Sequence, residues 1–408
     1  MVVLEVLRLA AAGEAKMLRR EIEPRKNLAA IAEDVGFNFH TIDGEVYWQE
    51  DRFYQFTLEQ IEKDLEEPTN DIHAMCLDLV DEVVKDEYLL NKLAIPSHLH
   101  DWVATSWKKR DPSLYGRVDF SYGGKGSAKF LEYNAQTPTS LYEAGFFQWN
   151  WLADQVDSNN LPSHSDQFNK LQEAFILRFH HIKKSLKGFK ELYFACCKES
   201  AEDRATVDYM RDCAHQAGVQ TNFVFIEDMG MGMHHGAPVF TDHDDYVIQN
   251  IFMLYPFEMM YGDNYGQFMH HTETQFFEPP WKAILSNKGI LPLLWERHKG
   301  HPNLLPSYFS GEEKADLGGS FVSKPLFSRE GENIDVVDEG KLIQRVDGMY
   351  GHIPTIKQKF HALPKFGSDY TLIGSWVIGD EALGLTIRED NSLVTKDTSR
   401  FIPHIILG

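Results

Sequence analysis

The sequence predicts a mixed α/β protein, and three stretches carry that reading. Residues 192–226 run apolar segment, helical pattern, apolar segment, the order expected of a small open α/β layer. Residues 115–134 hold two short alternating segments around a glycine-rich turn. Residues 356–388 repeat that alternation, with turns at Gly367 and Gly379-Asp380, so antiparallel sheet stands beside the α/β layer.

At the start of the chain, Met1 to Ala12 is mildly apolar but carries Glu5 and Arg8. It lacks a basic region followed by a long apolar block, so it does not read as a signal peptide. Glu14 to Lys26 is charged and reads as a frayed helix or a tail. Phe37 to Trp48 is aromatic and turn-rich, with Asp43-Gly44 as a tight turn. Thr57-Leu58-Glu59-Gln60 is a helix start of the capping-box type, followed by Leu58, Ile61 and Leu65 at helical spacing. A second helix is expected over Ile72 to Val84, with Met75, Leu79 and Val83 on one stripe, and a third stretch over Trp102 to Trp107 beyond Pro96. Together these make a helical layer ahead of the glycine-rich hairpin.

Beyond the hairpin, Leu141 to Leu152 is expected to be helical, and the turn residues of 157–162 mark a first boundary. A long amphipathic helix is predicted over Ser165 to Lys184, with Phe168, Leu171, Phe175 and Phe179 on one face. Strand Leu192 to Cys196, helix Ala201 to Ala217 and strand Thr221 to Ile226 follow, with Gly218 as the helix stop. Val239-Phe240 and Tyr246-Val247-Ile248 are further strand candidates, and Asp228 to Gly236 reads as a flexible loop. Pro279-Pro280-Trp281 marks the second boundary, followed by a helix over Asn287 to Glu296 and a strand over Asn333 to Val337. The expected division is 1–35 as an extension, 36–155 with 280–408 as one unit, and 156–279 as the other.

Lysine plus arginine number 40 against 61 acids, a formal charge of −21. Such a surface repels nucleic acid and anionic membrane, and a bound anion must be held by local cationic clusters. No apolar span is long enough to cross a bilayer, and the protein is expected to be soluble and cytoplasmic. Cys76, Cys196, Cys197 and Cys213 lack paired metal-ligand spacing and read as reduced core thiols. His234-His235 and His270-His271 lack an organised ligand pattern and read as loop or surface residues.

The candidate chemistry lies in the hairpin. Alternation over residues 115–120 puts Arg117 and Asp119 on one face and Val118 and Phe120 on the other. On the second strand Glu132 and Asn134 share a face. Pairing the strands would bring Asp119, Glu132 and Asn134 together as oxygen donors for a hard divalent ion such as magnesium. An exposed hairpin with a solvated polar face carries the same alternation. Arg117 beside the acids, and the hydroxyls of Thr137, Thr139 and Ser140 after them, favour the site. Farther on, Lys324 ends an apolar strand, and a loop with Arg329 and Gly331 follows it. A lysine on a strand and a closing loop can hold a triphosphate without a P-loop; a strand-end lysine paired with a nearby acid is the other reading.

These motifs resemble the ATP-grasp synthetase domain of the glutathionylspermidine synthase family. The R-x-D of Arg117-Val118-Asp119, the E-x-N of Glu132-Tyr133-Asn134 and the loop from Ala135 to Ser140 match its magnesium and acid-substrate site, and the similarity runs from about Gly36 to the C-terminus. The resemblance implies an ATP-grasp fold of the permuted, glutathione-synthetase-like branch, with a small open α/β pre-ATP-grasp domain. It implies nucleotide lysines at Lys288 and Lys324, the loop glycine at Gly331, the adenine-side strand at Lys357-Gln358-Lys359-Phe360, and a functional arginine at Arg388. Gln358 and Arg117 then belong with the nucleotide, and Asp119, Glu132 and Asn134 with two magnesium ions.

The implied reaction is ATP-dependent joining of a carboxylic acid to an amine through an acyl phosphate. Arg117 and Arg388 would stabilise developing charge, and Thr137, Thr139 and Ser140 would bind the acid. The family's acidic substrate pair matches Glu202-Asp203, although acids in a helix's first turn are favourable there without a ligand. The chain departs from the family at two places: Arg400 stands where a polyamine-side aspartate is expected, and Leu372 where an adenine-side glutamine is. An arginine at 400 is expected to repel a polyamine, and no stretch resembles the amidase domain that accompanies some synthetases. The expected partners are therefore a small-molecule acid and amine of unassigned identity. A carboxylate kinase or ATPase would use the same phosphate contacts, and a non-catalytic nucleotide-binding protein would keep the lysines.

Overall fold

The computed structural model describes residues 17–42, 44–396 and 398–407. Its centre is an antiparallel sheet in the order Arg400–Phe401, Glu381–Asp390, Asp369–Ile378, Tyr115–Ser121, Lys129–Asn134, with Lys365–Phe366 added against the start of the Asp369–Ile378 strand. The two hairpin strands predicted from alternation are its neighbours at one edge, with Asp119 opposite Glu132 and Arg117 opposite Asn134. Val118, Phe120 and Phe130 point to the other face and are fully buried with Ile373 and Ile387. Each such side chain contributes about 1.5–3 kcal/mol of burial, which fixes which face of the hairpin turns outward.

That apolar face packs on the helical layer. The capping box forms as read: the Gln60 amide nitrogen donates to Thr57 Oγ1 at 3.2 Å, and the Thr57 amide donates to Gln60 Oε1 at 2.9 Å. The two helices expected from 57 onward are one continuous run, a π-helical stretch Gln60–Glu66 leading into the α-helix Glu67–Val83. Ile61, Leu65, Ile72, Leu79 and Val83 face the core, whereas Leu58 is exposed and Met75 only half-buried. The third helix, His100–Lys108, covers its predicted span.

A second, five-stranded antiparallel sheet runs Ser307–Phe309, Thr355–Lys359, Phe321–Pro325, Asp335–Asp338, Lys341–Arg345. A third, four-stranded sheet is parallel, in the order Gln275–Phe277, Asn250–Met253, Glu191–Cys196, Gln220–Phe225, all from the interval 156–279. The strand–helix–strand prediction is realised there, with helix Ala201–Gln216 ending at Gly218, φ +75°.

Several local expectations fail for long-range reasons. Residues 18–21 are a strand, paired with Arg52–Phe56 in a small sheet that the C-terminal strand His404–Ile406 joins in parallel. The predicted helix 165–184 starts only at Leu171, because residues 166 and 169 bridge to Ile406 and Gly384, and it runs as α-helix to Ile182 and as a 3-10 turn over Lys183–Ser185. The glycine- and methionine-rich segment is no loose loop: Gly230–His234 pairs with Ala237–Thr241. Tyr246 to Ile248 makes a single bridge, Thr241 to Val247. The helix expected from Asn287 begins at Ile290, after a turn that carries Lys288. The turn at Gly44 links Thr41–Ile42 to Glu45–Val46; Asp43 and residues 1–16 lie outside the described residues. No helix among the described residues is long and apolar enough to cross a membrane. Cys76, Cys196 and Cys213 are buried free thiols and Cys197 is half-buried.

Candidate active site

The polar face of the hairpin forms one wall of a cavity of about 460 Å³. Asp119 is fully buried and grips Arg117, with Nε to Oδ1 at 2.7 Å and Nη2 to Oδ2 at 3.1 Å. This pair fits because Gly374 lies across from Asp119 in the next strand; a Cβ there would stand 2.5 Å from Arg117 Cδ. Asn134 Nδ2 donates to Asp119 Oδ2 at 2.9 Å and to Glu132 Oε1 at 3.3 Å, so the three predicted oxygen-bearing side chains do converge. Among the described residues no group of three or more His, Cys, Asp and Glu is placed to hold a metal ion, and the hairpin brings together two carboxylates and one amide.

The lysines come from the other half of the chain. Lys324 Nζ donates to the Leu131 carbonyl at 2.9 Å and to Gln358 Oε1 at 2.9 Å, and Gln358 Nε2 donates to the Phe130 carbonyl at 3.0 Å. Lys288 Nζ stands 3.4 Å from Glu132 Oε2 and donates to the Ser328 carbonyl at 2.9 Å. Burial works against ionised Glu132, but Lys288 and Lys324 outweigh it and hold its pKa down to about 2. Burial raises the pKa of Asp119 in spite of Arg117, and lowers that of Lys324 to about 8. A carboxylate facing two amines is the charge pattern of a site that handles anions and a cation together. Gly331, at φ +75°, lies where a Cβ would meet Val394 and the Thr395 carbonyl.

The hydroxyl loop sits between these groups. Arg329 Nη1 donates to Thr137 Oγ1 at 2.6 Å, and Arg117 Nη1 to the Thr139 carbonyl at 2.8 Å. Ser140 is fully buried in the left-handed region, φ +70°, and accepts from Arg388 Nη1 at 2.8 Å. The other two guanidinium nitrogens of Arg388 are fixed by the carbonyls of Ser399 and Lys396. Glu202 and Asp203 line the opposite wall, from the first turn of helix Ala201–Gln216, where Ser200 caps the Asp203 amide. Burial and the neighbouring Glu202 push Asp203 up to about 7.

Sequence reading missed Arg329 as a contact of the hydroxyl loop, and it missed Tyr47 and Glu143 behind it. Ser140-Leu141-Tyr142-Glu143 has the S-x-x-E spacing of a helix cap, which disguises Glu143 as a capping acid. Arg400 sits away from the cavity wall: its Nη2 is 2.7 Å from Asp369 and 4.0 Å from Glu389, in a cluster with Arg19 and Arg52. Three arginines share two carboxylates there, so the cluster keeps a net positive charge. Leu372 does line the cavity, directly across the sheet from Arg388.

Among known proteins, a candidate acid–amine ligase of Haemophilus influenzae is 37% identical over 382 residues, covering 91% of this chain and 94% of that one. The bifunctional glutathionylspermidine synthetase/amidase of Escherichia coli is 26% identical, over 90% of this chain but only 61% of its own length. The trypanothione synthetase of Crithidia fasciculata is 26% identical, over 81% of this chain and 53% of its own. A glutathione synthetase-like effector from Globodera pallida shares the fold, with a TM-score of 0.56 at 9% identity over 94% of this chain and 98% of that one. Residues 19–407 match the family model described as glutathionylspermidine synthase preATP-grasp, and the chain belongs to that family.

Proposed function

We propose that this protein is an ATP- and magnesium-dependent ligase that joins a carboxylic acid to an amine through an acyl phosphate. The observation that carries the reading is the facing of Asp119, Glu132 and Asn134 by Lys288 and Lys324 across one cavity. The relatives named for acid–amine ligation and glutathionylspermidine synthesis support it.

In this reading Lys288, Lys324 and Gln358 hold the nucleotide, Gly331 lets its loop pass close to residues 394–395, and Asp119, Glu132 and Asn134 hold two magnesium ions. Two carboxylates and an amide suit magnesium, which keeps waters and phosphate oxygens in its shell. Bound there, the metal would neutralise phosphate charge. Arg117 and Arg388 orient and neutralise the transferring phosphoryl group and the tetrahedral carbon. Arg388 is well suited because three hydrogen bonds fix its plane before any substrate arrives. Thr137 and Thr139 form the acid-binding loop, Ser140, which is fully buried and does not line the cavity, fixes Arg388 behind it, and Glu202 and Asp203 take the cationic amine. Residues 36–155 with 280–408 act as the nucleotide-binding unit and 156–279 as the substrate unit.

The test is ATP turnover screened over acid and amine pairs, with Asp119→Asn as control. Phosphate release that requires both partners and yields an amide is the expected result. Release that needs the acid but never the amine would replace the ligase reading with a carboxylate kinase.

A further inference from the structure

Two of the three hydrogen bonds that fix Arg388 end on backbone carbonyls, Nε on Ser399 at 2.8 Å and Nη2 on Lys396 at 3.0 Å. Side chains set where those carbonyls lie. Asp390, two residues beyond Arg388, accepts from the Ser392 amide at 2.9 Å through Oδ1 and from Ser399 Oγ at 2.5 Å through Oδ2. Ser399 Oγ accepts in turn from the Lys396 amide at 2.8 Å, and the Ser399 amide donates to the Lys396 carbonyl at 3.2 Å. Ser399 is buried. One carboxylate therefore braces the two backbone positions that Arg388 binds.

Residues 392–394 are also tied to the five-stranded sheet. Gln344, on its strand Lys341–Arg345, donates through Nε2 to Ser392 Oγ at 2.5 Å and accepts from the Leu393 amide through Oε1 at 3.1 Å. Ser392 Oγ donates onward to the Val394 carbonyl at 2.9 Å. Val394 packs with Ile334 and Val336, and it is the side chain that a Cβ on Gly331 would meet. That sheet carries Lys324 and Gln358. Leu393, Val394, Thr395 and Lys396 line the cavity together with Arg388, whereas Asp390 and Gln344 do not. The same stretch of chain thus meets the nucleotide-side sheet through Gln344 and Arg388 through its carbonyls.

We propose that Asp390 and Gln344 are positioning residues for the reaction: Asp390 shapes the backbone that aims the Arg388 fork, and Gln344 registers that backbone against the sheet bearing the nucleotide lysine. This rests on the ligase reading, in which Arg388 meets the transferring phosphoryl group. A guanidinium is planar and its donors have fixed directions, so a few tenths of an ångström at its acceptors turn the whole plane. A donor aimed in advance at charge that develops only in the transition state stabilises it without reorganising first. Both residues act through Arg388, because neither reaches the cavity itself.

The experiment is a pair of double-mutant cycles, read as turnover of ATP with the acid and amine found by the screen. Asp390→Asn keeps one acceptor oxygen and gives up the other, and Gln344→Ala removes the tie to the sheet. Each should lower kcat on the order of 10- to 100-fold with the KM for ATP within about twofold, because the phosphates still meet Lys288 and Lys324. Arg388→Lys keeps the charge but presents no planar fork. In that background the same two changes should each cost less than about twofold, since nothing is left for them to aim. Gln344 lies on the edge strand of its sheet, so Gln344→Ala carries the test even where Asp390→Asn does not fold, as judged by thermal melting. An equal loss in both backgrounds, or a loss confined to the KM for ATP, would overturn the proposal and leave the ligase reading intact. Wild-type activity in Arg388→Lys, or no amide from the wild-type protein with any pair, would sink the role of Arg388 and the proposal with it.

Discussion

Lys324 and Gln358 share a 2.9 Å hydrogen bond, and both reach across to backbone carbonyls of the hairpin strand, at Leu131 and Phe130. The central and five-stranded sheets are clamped at this point, beside the acids. Val322 pairs with Gln358 in the five-stranded sheet, which sets Lys324 and Gln358 on one face within reach of each other.

Lys324→Met should therefore do two things. Turnover at limiting ATP should fall about 100-fold, because a preorganised cation near the phosphates is gone. The Leu131 carbonyl and Gln358 Oε1 lose their donor, which should cost about 1–3 kcal/mol in urea unfolding. Unchanged ATP dependence alongside lower stability would reduce Lys324 to a structural clamp.

Asp119 offers a sharper separation of charge from packing. Asp119→Asn keeps the volume, and activity should drop at least about 100-fold with a higher magnesium requirement, read from rate against magnesium concentration. Asp119→Ala should be less stable than Asp119→Asn by about 1–3 kcal/mol, because it also removes the acceptor oxygen that Arg117 keeps in the asparagine variant.

His404 predicts a pH limit on stability. Its Nε2 accepts from the Phe168 amide at 3.1 Å, so Nδ1 carries the proton toward Gln148 Oε1 at 3.0 Å. Full burial depresses its pKa to about 3 from 6.5. Between those values the unfolded chain binds a proton that the folded chain refuses, so stability rises with pH there and is complete above about 6.5. This group should remove about 1.4 kcal/mol per pH unit as pH falls through that window. Thermal melting of wild type and His404→Asn across pH 4 to 8 measures it: the variant should be less stable overall but with a flatter acid limb.

Arg400 should prove structural. Arg400→Asp would set a third carboxylate against Asp369 and Glu389, and we expect a loss of about 3 kcal/mol in chemical denaturation. The choice of amine should stay the same, checked by the turnover screen. A gain of polyamine use by this variant would show that the arginine does exclude one.

The site's chemistry was readable wherever it rests on neighbours in sequence. Period-two alternation alone places Arg117 and Asp119 on one face of their strand, and Glu132 and Asn134 on one face of theirs, because a strand has only two faces. The apolar residues between them, Val118 and Phe120, dictate which face is buried. The capping box at Thr57 and the strand–helix–strand of 191–225 are local in the same sense.

What only the tertiary structure decided is everything that depends on a distant partner. Residues 18–21 become a strand because Arg52–Phe56 supplies the hydrogen bonds, and residues 166 and 169 leave the predicted helix because Ile406 and Gly384 compete for them. Lys324 meets the hairpin, Arg400 finds Asp369, and Glu143 joins Tyr47 across separations of 193, 31 and 96 residues. A pattern along the chain records which side of an element is apolar. It does not record which element will lie opposite, and the protonation and charge of a buried carboxyl are set by what lies opposite.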